Sequence, residues 1–205
     1  MNRASFPVTF LCSVVVLLLT VLPVFAEITC RQQGNKIPEV LSEAMEMYPR
    51  VVGEVPDVDG QWVPDKGVSV FWICSKKYHL FLGIDGRAGV LFSASNVATG
   101  RNSGQKRKEG DMRTPEGIFT VSRIQNSSYW EPYQDRATGD EVGYGPFFIR
   151  LNAGKWKGIG IHGTDPSHVS EIGTDASHGC LRLKNEDLLK VIKYCVPQQT
   201  VIILP

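Results

Sequence analysis

Cys180 sits in the run Ala176-Ser177-His178-Gly179-Cys180-Leu181-Arg182, and a His162-Gly163 pair lies fourteen residues ahead of Ser177. A cysteine attacks as its thiolate, and an isolated thiol with a pKa near ~8.5 is only a few per cent ionised at neutral pH. An imidazole within hydrogen-bond reach changes that, because it can take the thiol proton and later return it to a departing amine. His178 is two residues from Cys180, so an extended chain would point both side chains the same way, whereas a tight turn would part them. His162 has to be delivered by the fold, as the base of Cys/His enzymes usually is, and it is the expected base. Gly179 permits a positive φ, which can aim the amides of His178, Gly179 and Cys180 at one point as an anion-binding nest. Arg182, two residues past the sulfur, can favour a thiolate or hold a substrate carboxylate.

Two plainer readings compete. An exported cysteine is commonly a structural thiol or half of a disulfide. His162, His168, His178 and Cys180 also supply enough N and S donors for tetrahedral zinc, but their spacing matches no familiar metal motif, so no metal is expected.

The rest of the chain must position these groups. Arg3 followed by the almost unbroken apolar run Phe10 to Val24 and by Val24-Phe25-Ala26 reads as a cleaved secretory signal over residues 1–26. That run is short for a bilayer core, and the signal segment is the one part of the chain suited to transient membrane association. Removing Cys12 with it leaves Cys30, Cys74, Cys180 and Cys195. If Cys180 stays a thiol, at most one bridge forms among the other three; with Cys74 in an apolar strand-like run, Cys30 to Cys195 is the pairing this suggests. The 22 basic and 21 acidic residues nearly cancel, which argues against a nucleic-acid partner.

Residues 27–66 read as an N-terminal helix, with apolar Ile37, Val40, Leu41, Ala44, Met45 and Tyr48 at helical spacing, followed by a Pro- and Gly-rich linker. From residue 67 to 205 the texture is β. VSVFWICS, YHLFLGID and GVLFSASNV are short branched and aromatic runs between turn signals, and IFTVSRI, FFIRL, Gly158 to Ile161 and TVIIL follow. His79 falls inside one of these strand patterns. A helix after Asn185 is expected, capped by that residue and stopped by Pro197. The fold class is therefore mainly β, sandwich or barrel-like, with a few peripheral helices. Two long loops, 99–117 and 125–146, suggest binding loops or lids, with Tyr129, Trp130 and Tyr133 as lid aromatics. His168 and the Lys106-Arg107-Lys108 run read as solvated loop residues.

His162-Gly163 with Ser177-His178-Gly179-Cys180-Leu181-Arg182, preceded by Thr114-Pro115-Glu116-Gly117 and Phe119 and by Tyr144-Gly145-Pro146, resembles the L,D-transpeptidase (YkuD) catalytic domain over roughly residues 67–204. The resemblance implies a largely β domain that acts on peptidoglycan stem peptides in the periplasm or envelope of a bacterium, without a metal or organic cofactor. By that resemblance Cys180 is the nucleophile and His162, followed by Gly163, the base. Ser177, His178, Gly179 and the Cys180 amide shape the oxyanion site, and Arg182 orients the site or the stem. Lys108 to Gly117 resembles a branch in which some relatives trim stems as L,D-carboxypeptidases. Hydrolysis is therefore the first alternative to transfer, and a non-catalytic murein-binding protein the second.

Overall fold

Residues 70–74 and 80–84 are apolar on both strand faces, Gly83 aside, so the strands they form must be covered on both sides. The computed structural model describes residues 36–48, 69–87, 90–135 and 138–205; the expected signal, the linker and Cys30 lie outside them. In it, β1 (Val70–Ser75) and β2 (Leu80–Asp85) form an antiparallel hairpin, and β1 runs parallel to β12 (Thr200–Leu204) on its other side. Val70, Trp72, Cys74, Phe81, Val201 and Ile203 point into the main core. Their alternates Phe71, Ile73, Leu80, Leu82, Ile84, Ile202 and Leu204 form a second core under α1 (Ile37–Met47), which contributes buried Val40 and Ala44. Full burial of each such side chain contributes about 1.5–3 kcal/mol. The buried indole of Trp72 donates from Nε1 to Gln199 Oε1 at 3.0 Å, so this core carries a satisfied polar atom.

β3 (Val90–Asn96) continues from β2, and on the far side of β12 come β5 (Gly117–Asn126), β8 (Phe147–Asn152), β9 (Gly160–His162) and β11 (Leu181–Arg182). Together they make one eight-stranded curled sheet of order β11-β9-β8-β5-β12-β1-β2-β3, a half-barrel with few helices. A short parallel pair, β4 (Thr99–Gly100) with β10 (Asp175–Ser177), joins the first long loop to the segment before Cys180. The second long loop contains its own small hairpin, β6 (Tyr133–Gln134) with β7 (Glu141–Val142).

α2 (Asn185–Tyr194) packs Leu188 and Val191 on the main core, and Glu186 and Asp187 in its first turn suit the positive end of the helix dipole. Its cap differs from expectation. Lys184 occupies the cap position without a side-chain hydrogen bond, and Asn185 Oδ1 instead accepts from the Thr164 amide at 3.0 Å. His79 is not in a strand either: it lies in the β1–β2 turn at φ +48. Among the described residues no helix is long and apolar enough to cross a membrane.

Candidate active site

The parallel pairing of β9 with β11 sets Leu181 beside Ile161 and Arg182 beside His162. Cys180, one residue before β11, therefore hangs next to Gly160 at the end of the same ladder, two residues out of step with His162. Ser177 makes the turn that delivers it: its hydroxyl donates to the Cys180 carbonyl at 2.5 Å and accepts from the Gly179 amide at 3.0 Å. Gly179 holds φ +125, and a Cβ there would fall 2.7 Å from the Arg113 carbonyl oxygen, so the first long loop presses directly on this turn. The Gly179 amide is thus engaged, while the Cys180 amide has no acceptor among the described residues.

The Cys180 thiol donates to the Gly158 carbonyl at 3.3 Å. Burial pushes the thiol above its ordinary pKa, against the pull of the Gly160 amide and the charges of Arg150, Arg182 and Lys106. His162 is 2% exposed, and burial drops its pKa to about 4 even though the Gly163 and Tyr144 carbonyls favour its charged form. Both directions favour a neutral thiol and a neutral imidazole at rest over a preformed ion pair. His162 Nδ1 lies 2.7 Å from the Gly163 carbonyl oxygen, which can only accept; Nδ1 therefore carries the proton and Nε2 keeps its lone pair. Phe148 stacks on the ring (5.4 Å between centroids, 9°) and Tyr144 meets it edge-on at 5.2 Å. The sulfur and the imidazole emerge on neighbouring strands without hydrogen-bonding each other.

Gly163 and Gly145 touch backbone to backbone, since a Cβ on Gly145 would lie 2.7 Å from the Gly163 Cα. That contact, with the Asn185 tether, seats Tyr144-Gly145-Pro146 against His162. The His178 side chain reaches the second long loop, where Asp135 Oδ1 lies 3.1 Å from its Nε2. Asp135 is 1% exposed and is also gripped by both terminal nitrogens of Arg101. The Tyr133 ring lies tilted against His178 with 5.2 Å between centroids, and Trp130 packs on Tyr144 and Phe148, whereas Tyr129 is 89% exposed. Arg182 is buried and ion-paired to Glu171, yet its Nε and Nη1 find no acceptor.

The first long loop is tied down as firmly. Lys106, read as solvated, is 5% exposed and donates to Asp111 Oδ1 at 2.7 Å, while the Arg107, Lys108 and Arg113 amides also donate to that carboxylate. Burial alone would raise the Asp111 pKa, but these donors hold it well below the carboxylate range. His168 is likewise buried, its Nδ1 2.8 Å from Asp165 Oδ1 in a 3-10 turn, because Asp165 sits three residues ahead on the same turn.

The family model of the L,D-transpeptidase catalytic domain, YkuD, matches residues 72–203. The chain belongs to that family. No curated protein matches it. Among solved structures, an L,D-transpeptidase from Mycobacterium smegmatis is 20% identical with a TM-score of 0.50, over 68% of this chain and 60% of that one. L,D-transpeptidase 3 from Mycobacterium tuberculosis, in complex with a faropenem-derived adduct, is 20% identical with a TM-score of 0.51, over 67% and 60%. A cysteine mutant of Enterococcus faecium L,D-transpeptidase is 16% identical with a TM-score of 0.50, over 66% and 50%. The chain thus spans three fifths or less of these relatives' length, and the likeness to them is one of fold.

Within this L,D-transpeptidase domain, the residues that the sequence singles out, Cys180, His162, Gly163, Ser177, Gly179 and Arg182, gather at one end of the β9–β11 ladder. Sequence reasoning missed Asp135 and Arg101, which hold His178, and Phe148 and Arg150, which flank Cys180 and His162. The alternation in FFIRL carries the signal for the latter two: residues 148 and 150 share a face, and with Ile149 in the core that face must be the outer one.

Proposed function

We propose that this chain is a cysteine-dependent L,D-transpeptidase of the bacterial envelope, exported by residues 1–26, acting on peptidoglycan stem peptides through a thioester. The observation that carries the reading is the Ser177–Cys180 turn docked on β9, which sets Cys180 beside a histidine whose tautomer is fixed by the Gly163 carbonyl. Cys180 Sγ attacks the carbonyl carbon of the third stem residue as its proton passes to His162 Nε2. The Cys180 amide, unengaged at rest, donates to the developing oxyanion. Collapse breaks the peptide bond, and the terminal D-amino acid leaves with the proton held by His162. An acceptor amine then gives a proton to His162 and attacks the thioester, and the departing sulfur takes that proton back. Arg182 braces the ladder beside His162 through Glu171, and no metal or organic cofactor is needed for any of these steps.

The roof of aromatics over His162 supports transfer, since it limits the water that would otherwise take the acyl group. The test is incubation of the protein and its Cys180→Ala variant with a disaccharide tetrapeptide, followed by mass analysis. A dimer joined through two third-position residues, absent with the variant, is expected. Loss of the terminal D-amino acid alone would make the protein an L,D-carboxypeptidase, and no turnover under reducing conditions would leave a murein-binding protein. A faropenem adduct on Cys180, missing in Cys180→Ala, is expected as an independent sign of the nucleophile.

A further inference from the structure

On the outer face of β5 and β8 a groove of about 510 Å³ runs up to Gly158, the residue whose carbonyl accepts the Cys180 thiol. Its walls include Thr120, Ser122, Asn152 and Gln198, with Arg150 and Lys157 as its charges, and among the described residues no acidic side chain lines it. Arg150 pairs with Gly160 across the β8–β9 ladder, and Phe148, two residues before it on the same face, stacks on His162. The Arg150 guanidinium is thereby on the face that bears Cys180 and His162.

Its charge is unspent. Among the described residues Arg150 meets no carboxylate: Nε donates to Gln125 Oε1 at 3.3 Å, and the guanidinium carbon lies 5.2 Å from the centroid of the Phe148 ring. The ring and the amide orient the planar group without neutralising it, which leaves its terminal nitrogens for a ligand. The Lys157 ammonium also lacks an ion pair among the described residues; Glu109 reaches this hairpin only by accepting from the Lys157 backbone amide at 3.2 Å. Trp156, flanked by the ammonium groups of Lys155 at 4.6 Å and Lys106 at 5.7 Å, gives the groove an aromatic wall. The positive charge of Arg150 is also felt at the Cys180 sulfur, which places the two within one electrostatic neighbourhood.

We propose that this groove is the subsite for an acidic donor peptide, in which Arg150, with Lys157 beside it, pairs with a carboxylate carried within about two residues of the carbonyl that meets Cys180. The inference rests on the acyl-transfer reading and adds a substrate preference to it: stems with a free carboxylate at that place are favoured over stems with the same carboxylate amidated. A guanidinium matches a carboxylate fork-to-fork but has no bidentate partner in a neutral amide, so discrimination comes from this contact.

Calorimetry on the Cys180→Ala protein tests the preference without requiring turnover. The free-acid tetrapeptide is expected to bind about tenfold or more tightly than its amidated counterpart, as a charge-assisted pair predicts. Adding Arg150→Met should bring the two peptides within about threefold of each other, while Arg150→Lys keeps part of the difference. Lys157→Ala, on an exposed hairpin that leaves the sheet intact, should halve or further reduce the preference on its own. Equal binding of the two peptides, no binding of the acid form, or a preference that survives Arg150→Met in protein with an unchanged circular dichroism spectrum would each overturn the proposal. Turnover by the unmodified protein is scored separately: its absence would sink acyl transfer, whereas the calorimetric comparison alone decides the groove.

Discussion

The two ends of the sheet are built on different terms. At the β12-β1-β2 end both faces are apolar and covered, one by the main core and the other by α1. At the β8-β9-β11 end only the inner face is apolar, and the outer face carries Phe148, Arg150, His162 and Cys180 under two long loops. Those loops have little core of their own and are held by ionic contacts, Lys106 with Asp111 in the first and Asp135 of the second with Arg101 and His178, while Arg182 of β11 pairs with Glu171 at the end of the 3-10 turn. A dry hydrophobic end supplies stability without direction, while charge-assisted contacts fix orientation at the end where reacting atoms must be aimed. This molecule therefore separates what keeps it folded from what keeps its site in shape, and the two can be broken independently.

Removing one partner of a buried pair is the harshest way to break the ionic end. Lys106→Met leaves the Asp111 carboxylate facing its three backbone amides without the ammonium, and should cost about 3–5 kcal/mol. Chemical denaturation should show the loss, and limited proteolysis should cut within residues 99–117. Lys106→Met with Asp111→Asn should recover part of it, because a neutral pair is no longer an uncompensated charge. If the double variant is no better than the single one, the loop is held by packing and the contrast between the two ends fails. Leu82→Ala probes the other end: a cavity under α1 should cost about 3 kcal/mol. Its kcat/KM per folded molecule should stay within about twofold of the parent, since Leu82 faces the second core, away from Cys180.

How far each end can be read from sequence follows from the same contrast. Strand alternation is local, so Phe71 and Ile73 against Trp72 and Cys74 announce a doubly covered hairpin by their order alone. The Ser177 to Arg182 run and His162-Gly163 are equally local, and the β9–β11 ladder brings them together. The contacts that orient the site are not local: Asp135 meets Arg101 and His178 from residues 34 and 43 positions away along the chain, and no pattern in the loop marks it. Local rules also lose to tertiary ones here. Asn185 has the residue type of a helix cap, but its carboxamide is spent on the Thr164 amide, and a Lys-Arg-Lys run that looks solvated sinks its first member into the loop it closes.

pH separates the ends more gently. His162 is held neutral, with its pKa at about 4 against 6.5 for the ordinary group. The unfolded chain therefore binds more protons between those values, so this stabilising contribution is complete above pH 6.5 and is lost as pH falls toward 4. The loss amounts to roughly 3 kcal/mol. His162→Gln should flatten the stability curve across that window. In the same terms kcat/KM, which needs the neutral base, should hold down to about pH 5 and fall only near pH 4; an acid limb centred near 6.5 would mean that the catalytic base is not the buried ring.

Asp135 gives the smallest and most diagnostic effect. Its carboxylate holds Arg101 from the first loop and His178 beside Cys180, and the Tyr133 ring near His178 joins the same lid. Asp135→Asn keeps the shape but removes the charge and turns an N–H toward one of its donors, which should cost about 1–2 kcal/mol of stability. A residue that only supports the fold would lower the measured rate through loss of folded protein and leave KM unchanged. A residue that positions the lid should instead raise KM for the stem by about tenfold with a smaller change in kcat, because substrate binding then has to order Tyr133 and His178 itself. Arg101→Met should reproduce that split, and the double variant should be no worse than either single one, since both act on one latch. Additive losses would mean that the two side chains serve different ends of the site, and that the lid is held by its aromatic contacts with Tyr144 and Phe148 rather than by charge.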